Sequence, residues 1–443
     1  MRLVVSLALA TIGCNPIFGL DPLTGRTDAD PTDADPTDAD PSDAVPTCGP
    51  AIGTNPGGAR VMSAVGWTLE PQAAVQLGSN RALAGVARAV DALDGLIIRR
   101  TGATTNEAWR IGGTGGELLV SAASDGASML AVGTSRTGVP VGEPDRALLT
   151  FLPVSGAPVS YQLRHSTDNL AATAVATSPA GWVVAGRLRG TVGPPMTSAA
   201  WIGLVGPDGT IDRGIGLSID PTHDLRPRSI VTDAGRAYVV GSSSNTTALV
   251  FAYDLTTGTV PWATTLPFPV VAAALDDGQL LVGGNLGTAG MLATIAPTTG
   301  TVATVKSFAN AQLHRLTSVA GGALWVAGPG VGGVFAGRLT GDCLTAILHG
   351  DFVVPSAYQV PQPLVPNATG AVLYSPRNAT IVERTLDEVG SSTCAVSGFS
   401  SVGATVAATA TTLVNPTTER VDATELNLTE LTDLAITTTV NCR

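Results

Sequence analysis

Four histidines, one lysine and one glycine-rich run are what this 443-residue chain offers for building chemistry. His165, His223, His314 and His349 each stand alone among ordinary loop or strand residues, where a surface or hydrogen-bonded histidine is the expectation. There is no Cys-x-x-Cys pair, so a zinc site has no nucleus in the sequence. His223-Asp224 is the one His/Asp neighbour pair, but no Gly-x-Ser-x-Gly elbow accompanies it to supply a nucleophile. Lys306 is the sole lysine, which leaves Schiff-base and phosphate-loop chemistry little to work with. Gly328-Pro329-Gly330-Val331-Gly332-Gly333 spells the dinucleotide fingerprint, yet Val334-Phe335-Ala336 continues as strand where a helix N-terminus should receive pyrophosphate. A hairpin turn is the expectation there. No catalytic, cofactor-binding or metal-ligating residue is assigned, and no cofactor is expected.

The elements that would have to position any site announce themselves as a repeat. A polar turn precedes an apolar run ending in glycine at Met129 to Gly133, Trp182 to Gly186, Ala237 to Gly241, Leu280 to Gly283 and Leu324 to Gly328. A second apolar run follows each and closes at Gly156, Gly209, Gly258, Gly300 and Gly341. Successive closing turns lie 53, 49, 42 and 41 residues apart, the length of four short strands with their turns. Runs such as Leu280-Leu281-Val282 are continuously apolar, as strands buried on both faces must be. The glycine ending each first run is expected to permit a close backbone approach. The fold class is all-β, a single β-propeller of seven or eight four-stranded blades.

The repeat is clear from about 110 to 345. Residues 363 to 390 give a degraded copy, and 395 to 443 and 55 to 109 are each long enough for another. Ala82 to Leu96, dense in alanine and leucine, could instead be a short helix. Seven blades is favoured if the two chain ends share one.

Apolar residues make up 44% of the chain and charged residues 13%, enough core material to exclude global disorder. The net charge of −11 is concentrated near the N-terminus, where residues 14 to 46 hold eight aspartates against Arg26. A weakly acidic body argues against nucleic-acid and anionic-membrane binding. Pentads such as Thr27-Asp28-Ala29-Asp30-Pro31, with proline every five residues and self-repelling carboxylates, describe an extended, disordered tether. Before it, Arg2, the apolar run Leu3 to Ala10 and Thr11-Ile12-Gly13-Cys14 have the layout of a secretory signal. The domain reading is therefore a signal peptide over 1–13, an Asp/Pro-rich tether over 14–46 and the propeller over 47–443.

Three resemblances add to this reading. The leader resembles that of bacterial lipoproteins, which implies acylation of Cys14 after cleavage at Gly13; Asn15 tilts sorting toward the outer membrane. Trp109-Arg110-Ile111-Gly112-Gly113 followed by Ser121 to Gly133 resembles repeats of secreted bacterial propellers. Ala252-Tyr253-Asp254 through Gly258 to Trp262 resembles the docking motif of quinoprotein-like propellers, which implies that Trp262 stacks on the neighbouring blade. Pro297-Thr298-Thr299-Gly300 keeps that turn but has Val305 and Lys306 where tryptophan would stand.

With Cys14 acylated, Cys48, Cys343, Cys394 and Cys442 remain, an even number in an exported chain. Two disulfides are expected, with three connectivities open. A Cys48–Cys442 bond would clasp the ring and leave Cys343 with Cys394.

The resulting expectation is a monomeric, exported, lipid-anchored binding or scaffold module at the outer membrane or cell surface, or else periplasmic or secreted. Its partner would be a protein or glycan of the envelope or exterior, without nucleic acid, and with membrane contact through the anchor alone. One alternative is an enzyme using the central funnel, carbohydrate-active or quinone-dependent. Another is an outer-membrane assembly scaffold.

Overall fold

A computed structural model describes most of the chain from Gly53 to Asn441. Residues 1–52, 351–362, 388–396 and several shorter loops lie outside the description, and from Ser397 onward only strand backbone is described. The leader, the tether, Cys14, Cys48, Cys394 and Cys442 all fall outside the described residues.

Seven antiparallel sheets form a seven-bladed propeller. Blade 1 comprises Thr68–Leu77, Asn80–Arg88, Leu93–Arg100 and Asn106–Ile111, so the segment that could have been helical is two strands of a hairpin. Blade 2 runs from Gly116–Ser124 to Val159–Arg164, blade 3 from Asn169–Ser178 to Ile211–Ser218, and blade 4 from Arg226–Thr232 to Trp262–Leu266. Blade 5 runs from Val270–Asp276 to Val302–Phe308 and blade 6 from Arg315–Ser318 to Cys343–His349. Blade 7 is composite: Leu364–Asn367, Gly370–Arg377 and Thr380–Asp387 are completed by the early strand Gly53–Ser63. Sharing one blade between distant parts of the chain ties the ring shut by backbone hydrogen bonds.

Residues 397–441 do not make an eighth blade. They add a fifth, outermost strand to every sheet in turn, from Ser397–Val402 on blade 6 back through Leu431–Asp433 on blade 1 to Thr437–Asn441 on blade 7. This belt covers each outer edge, whose unpaired backbone groups would otherwise template further pairing. From Thr411 onward its strands begin every six or seven residues, too short a period to hold four strands.

The cores lie between blades. Seven apolar clusters each join two neighbours; Met129 and Ala131 pack toward blade 1, whereas Leu130 and Val132 pack toward blade 3. Period-two alternation thus faces two sheets, which is why the inner strands read as unbroken apolar runs. Each fully buried leucine or valine among them contributes roughly 1.5–3 kcal/mol.

Closing turns dock on the preceding blade. Trp262 of blade 4 donates from Nε1 to Pro297 O of blade 5 at 2.9 Å, and its ring covers Gly300, where a Cβ would lie 2.5 Å from it. Gly300 has φ +73°, and Gly156, Gly209 and Gly258 share the left-handed conformation. Tyr161 of blade 2 covers Gly209 of blade 3 in the same manner, and Arg99 of blade 1 donates to Gly156 O of blade 2 at 2.8 Å. The docking expected of Trp262 is present, and two other residue types serve the same joint.

Candidate functional site

The repeated glycine builds the centre of the ring. In blades 1 to 5 the innermost strand carries a one-residue register shift, between Pro71/Ala73, Leu119/Ser121, Ala172/Ala174, Pro227/Ser229 and Val270/Ala272. In blade 6, His314 holds the corresponding place, one residue before the Arg315↔Ala327 pair. Across each bulge stands glycine: a Cβ on Gly85, Gly133, Gly186, Gly241, Gly284 or Gly328 would fall 1.7–2.4 Å from an inner-strand carbonyl oxygen. Glycine lets the carbonyl in, and the displaced strand turns its extra residue toward the axis. In blade 5 this role falls to Gly284, one residue beyond the glycine that ends the apolar run in the sequence.

The six bulged residues are Gln72, Val120, Thr173, Arg228, Val271 and His314, and all six line one axial cavity of about 540 Å³. Small residues further along the inner strands continue the wall, among them Ser121, Ala176, Ser229, Ala274 and Ser318. Two arginines enter it, Arg228 from blade 4 and Arg315 from blade 6. None of the described lining residues is a carboxylate. Asp276 stands behind the wall, where it accepts a hydrogen bond from Ser318.

Electrostatically the blade 6 side of this wall is unsettled. His314 is 6% exposed, its Nε2 has no hydrogen-bond partner, and burial holds its pKa down at about 4. Burial also lowers the pKa of Arg315 from its ordinary value, and its Nε likewise lacks a partner, as does Thr317 Oγ1. Arg315 is half-buried on the cavity wall, and no ion pair to it is formed among the described residues. His314 is thus neutral at neutral pH, while Arg315 remains charged.

Of the residues singled out in the sequence, His314 reaches the cavity, buried and unsatisfied instead of conventionally hydrogen-bonded. His165 and His223 lie outside the described residues. His349 and Cys343 end and begin the last strand of blade 6, paired with Val334 and Thr340; their side chains are not described. The Gly330-to-Gly333 segment closes the hairpin expected for the glycine-rich run. No family model and no curated protein matches this sequence. Among solved structures, the chain is similar to the WD40 beta-propeller domain of Doa1, at 12% identity and a TM-score of 0.31, with 63% of this chain and 94% of that one covered. The seven-bladed assignment rests on the sheet topology itself.

Gln72, Thr173, Arg228 and Arg315 were missed in the sequence, although a signal exists. The bulged residue lies thirteen positions before the clash glycine in blades 1 to 5 and fourteen before Gly328 in blade 6.

Proposed function

We propose that this protein is an exported, lipid-anchored binding module whose receiving site is the axial cavity of the propeller. The carrying observation is that bulged side chains from six blades converge on one polar-walled volume of a size that holds a small ligand or one residue of a larger one. The leader pattern at Thr11-Ile12-Gly13-Cys14 and the acidic tether support the anchored, exported placement, with a glycan or protein of the envelope or exterior as partner. Among the described lining residues no carboxylate pair stands ready for glycoside hydrolysis, which favours binding over turnover.

Two experiments test this. Cys14→Ser should move the full-length protein from the membrane to the soluble fraction and abolish acylation detected by mass spectrometry; an unchanged distribution removes the anchor. Thr173→Trp should obstruct the cavity and weaken binding of envelope glycans while circular dichroism stays native. Retained binding would place recognition elsewhere on the ring.

A further inference from the structure

The cavity wall carries positive charge in a weakly acidic body, and that inversion points to a class of ligand. Arg315 is the decisive group. Arg315 is half-buried, its Nε has no hydrogen-bond partner and no carboxylate is among the described lining residues, so a charge-assisted, two-point contact with an oxyanion is the contact this guanidinium is best suited to make. Arg228, exposed and two blades away, adds a second positive charge to the wall. The remaining lining is of two kinds: Gln72, Thr173, Ser229 and Thr317 bear hydroxyl or amide groups, while Val120 and Val271 present C–H surface. Hydroxyls and amides match a polyhydroxylated body, and aliphatic patches match the C–H faces of a sugar ring.

Taking the cavity as the receiving site, as proposed above, we propose that it binds an acidic sugar, its carboxylate held by Arg315 with Arg228 adding positive charge, and its hydroxyls by Gln72, Thr173 and Ser229. A neutral sugar would leave Arg315 without a counter-charge. A bare inorganic anion would leave the hydroxyl-bearing wall and most of the volume unused.

The test is calorimetric titration of full-length protein at low salt with galacturonate, galactose, galactose 6-phosphate and inorganic phosphate. Galacturonate is expected to bind about ten- to a hundredfold more tightly than galactose, the range a charge-assisted contact supplies. Arg315→Met should remove that preference while leaving the thermal transition in place, and rising salt should weaken the acid and not the neutral sugar. Equal binding of galactose and galacturonate would overturn the acidic-sugar assignment but leave the cavity as a receiving site. Preference for galactose 6-phosphate or inorganic phosphate over galacturonate would overturn the carboxylate assignment. No binding by any of the four would overturn this inference, and Thr173→Trp with envelope glycans then decides the broader reading on its own.

Discussion

Arginine is withdrawn from water, wholly or in part, in two regions of this ring under opposite conditions. Where blades 7 and 1 meet, Arg60, Arg81 and Arg100 converge on Glu383 at 3.7, 3.3 and 2.8 Å, and Glu383 is 2% exposed. Arg100 is pulled below its ordinary pKa by burial, against the opposing attraction of Glu383, and burial with Glu383 nearby raises Tyr374. Arg60 and Arg81 keep contact with water, which screens the surplus positive charge of the group. In the axial cavity Arg315 forms no ion pair among the described residues. The first arrangement finds its counter-charge within the protein and joins the composite blade to its neighbour. The second has none among the described residues and, on the proposal above, receives it from a ligand. A charge withdrawn from water is therefore informative about function chiefly when the fold has left it unanswered.

The comparison breaks most sharply at the carboxylate. Glu383→Gln keeps the shape but leaves three arginines facing one another across a buried joint, a change expected to cost about 3–5 kcal/mol. Urea denaturation should show the midpoint falling accordingly, and the closing blade should become the first region to exchange its amide hydrogens. A loss under about 1 kcal/mol would mean the cluster is solvated and not structural.

Next in size is a pH effect from the cavity. His314 titrates near 4 when folded and near 6.5 when unfolded, so the two states bind protons equally above about pH 7. Between pH 6.5 and 4 the unfolded chain takes up a proton that the folded chain refuses, and stability falls with pH; below 4 this contribution levels off. The depression comes from burial of the imidazole. The loss is on the order of 3 kcal/mol. His314→Gln should flatten that part of the stability profile relative to the parent protein, and parallel slopes in the two proteins would refute the assignment.

How much of this was legible in the sequence depends on whether the cause is local. The blade repeat was readable because each inner strand packs against two sheets, which forces unbroken apolar runs such as Leu280-Leu281-Val282. Trp262 was readable through its turn, since Asp254 accepts hydrogen bonds from the backbone N–H groups of Thr256 and Thr257, and Gly258 takes a positive φ. The belt was not, because its strands of two to six residues have no face of their own and owe their pairing to edges made elsewhere. Nor were Arg228 and Arg315, whose direction depends on a bulge set by a glycine in the next strand. Glu383 and Arg100 looked like ordinary strand charges, since the contact between them exists only once the ring has closed.

The glycine that sets the bulges offers a third, smaller break. At Gly186 a Cβ would sit 1.9 Å from Ala171 O and 2.3 Å from Trp201 Nε1, which itself donates to that carbonyl at 2.8 Å. Gly186→Ala must push the inner strand away or dislodge the indole, at about 1–3 kcal/mol. Because Thr173 is held on the axis by that bulge, cavity binding should weaken along with stability. Gly235→Ala, in a turn with open space around it, is the control expected to leave both nearly unchanged.

The smallest effect on stability separates the two regions most cleanly. Arg315→Met removes a half-buried charge that forms no ion pair among the described residues and puts a shorter apolar chain on a wall that also carries Val271. Desolvation of the guanidinium is then no longer required on folding, so the variant should be as stable as the parent or up to about 1 kcal/mol more stable. The same substitution at Arg100, whose guanidinium lies 2.8 Å from Glu383, should instead destabilise, because it strips the buried carboxylate of its nearest partner. Opposite signs for one chemical change at these two arginines, measured by paired urea titrations, would separate an internal ion pair from a site awaiting an anion. If Arg315→Met destabilises as Arg100→Met does, Arg315 has a structural partner within the protein and the distinction between the two regions falls.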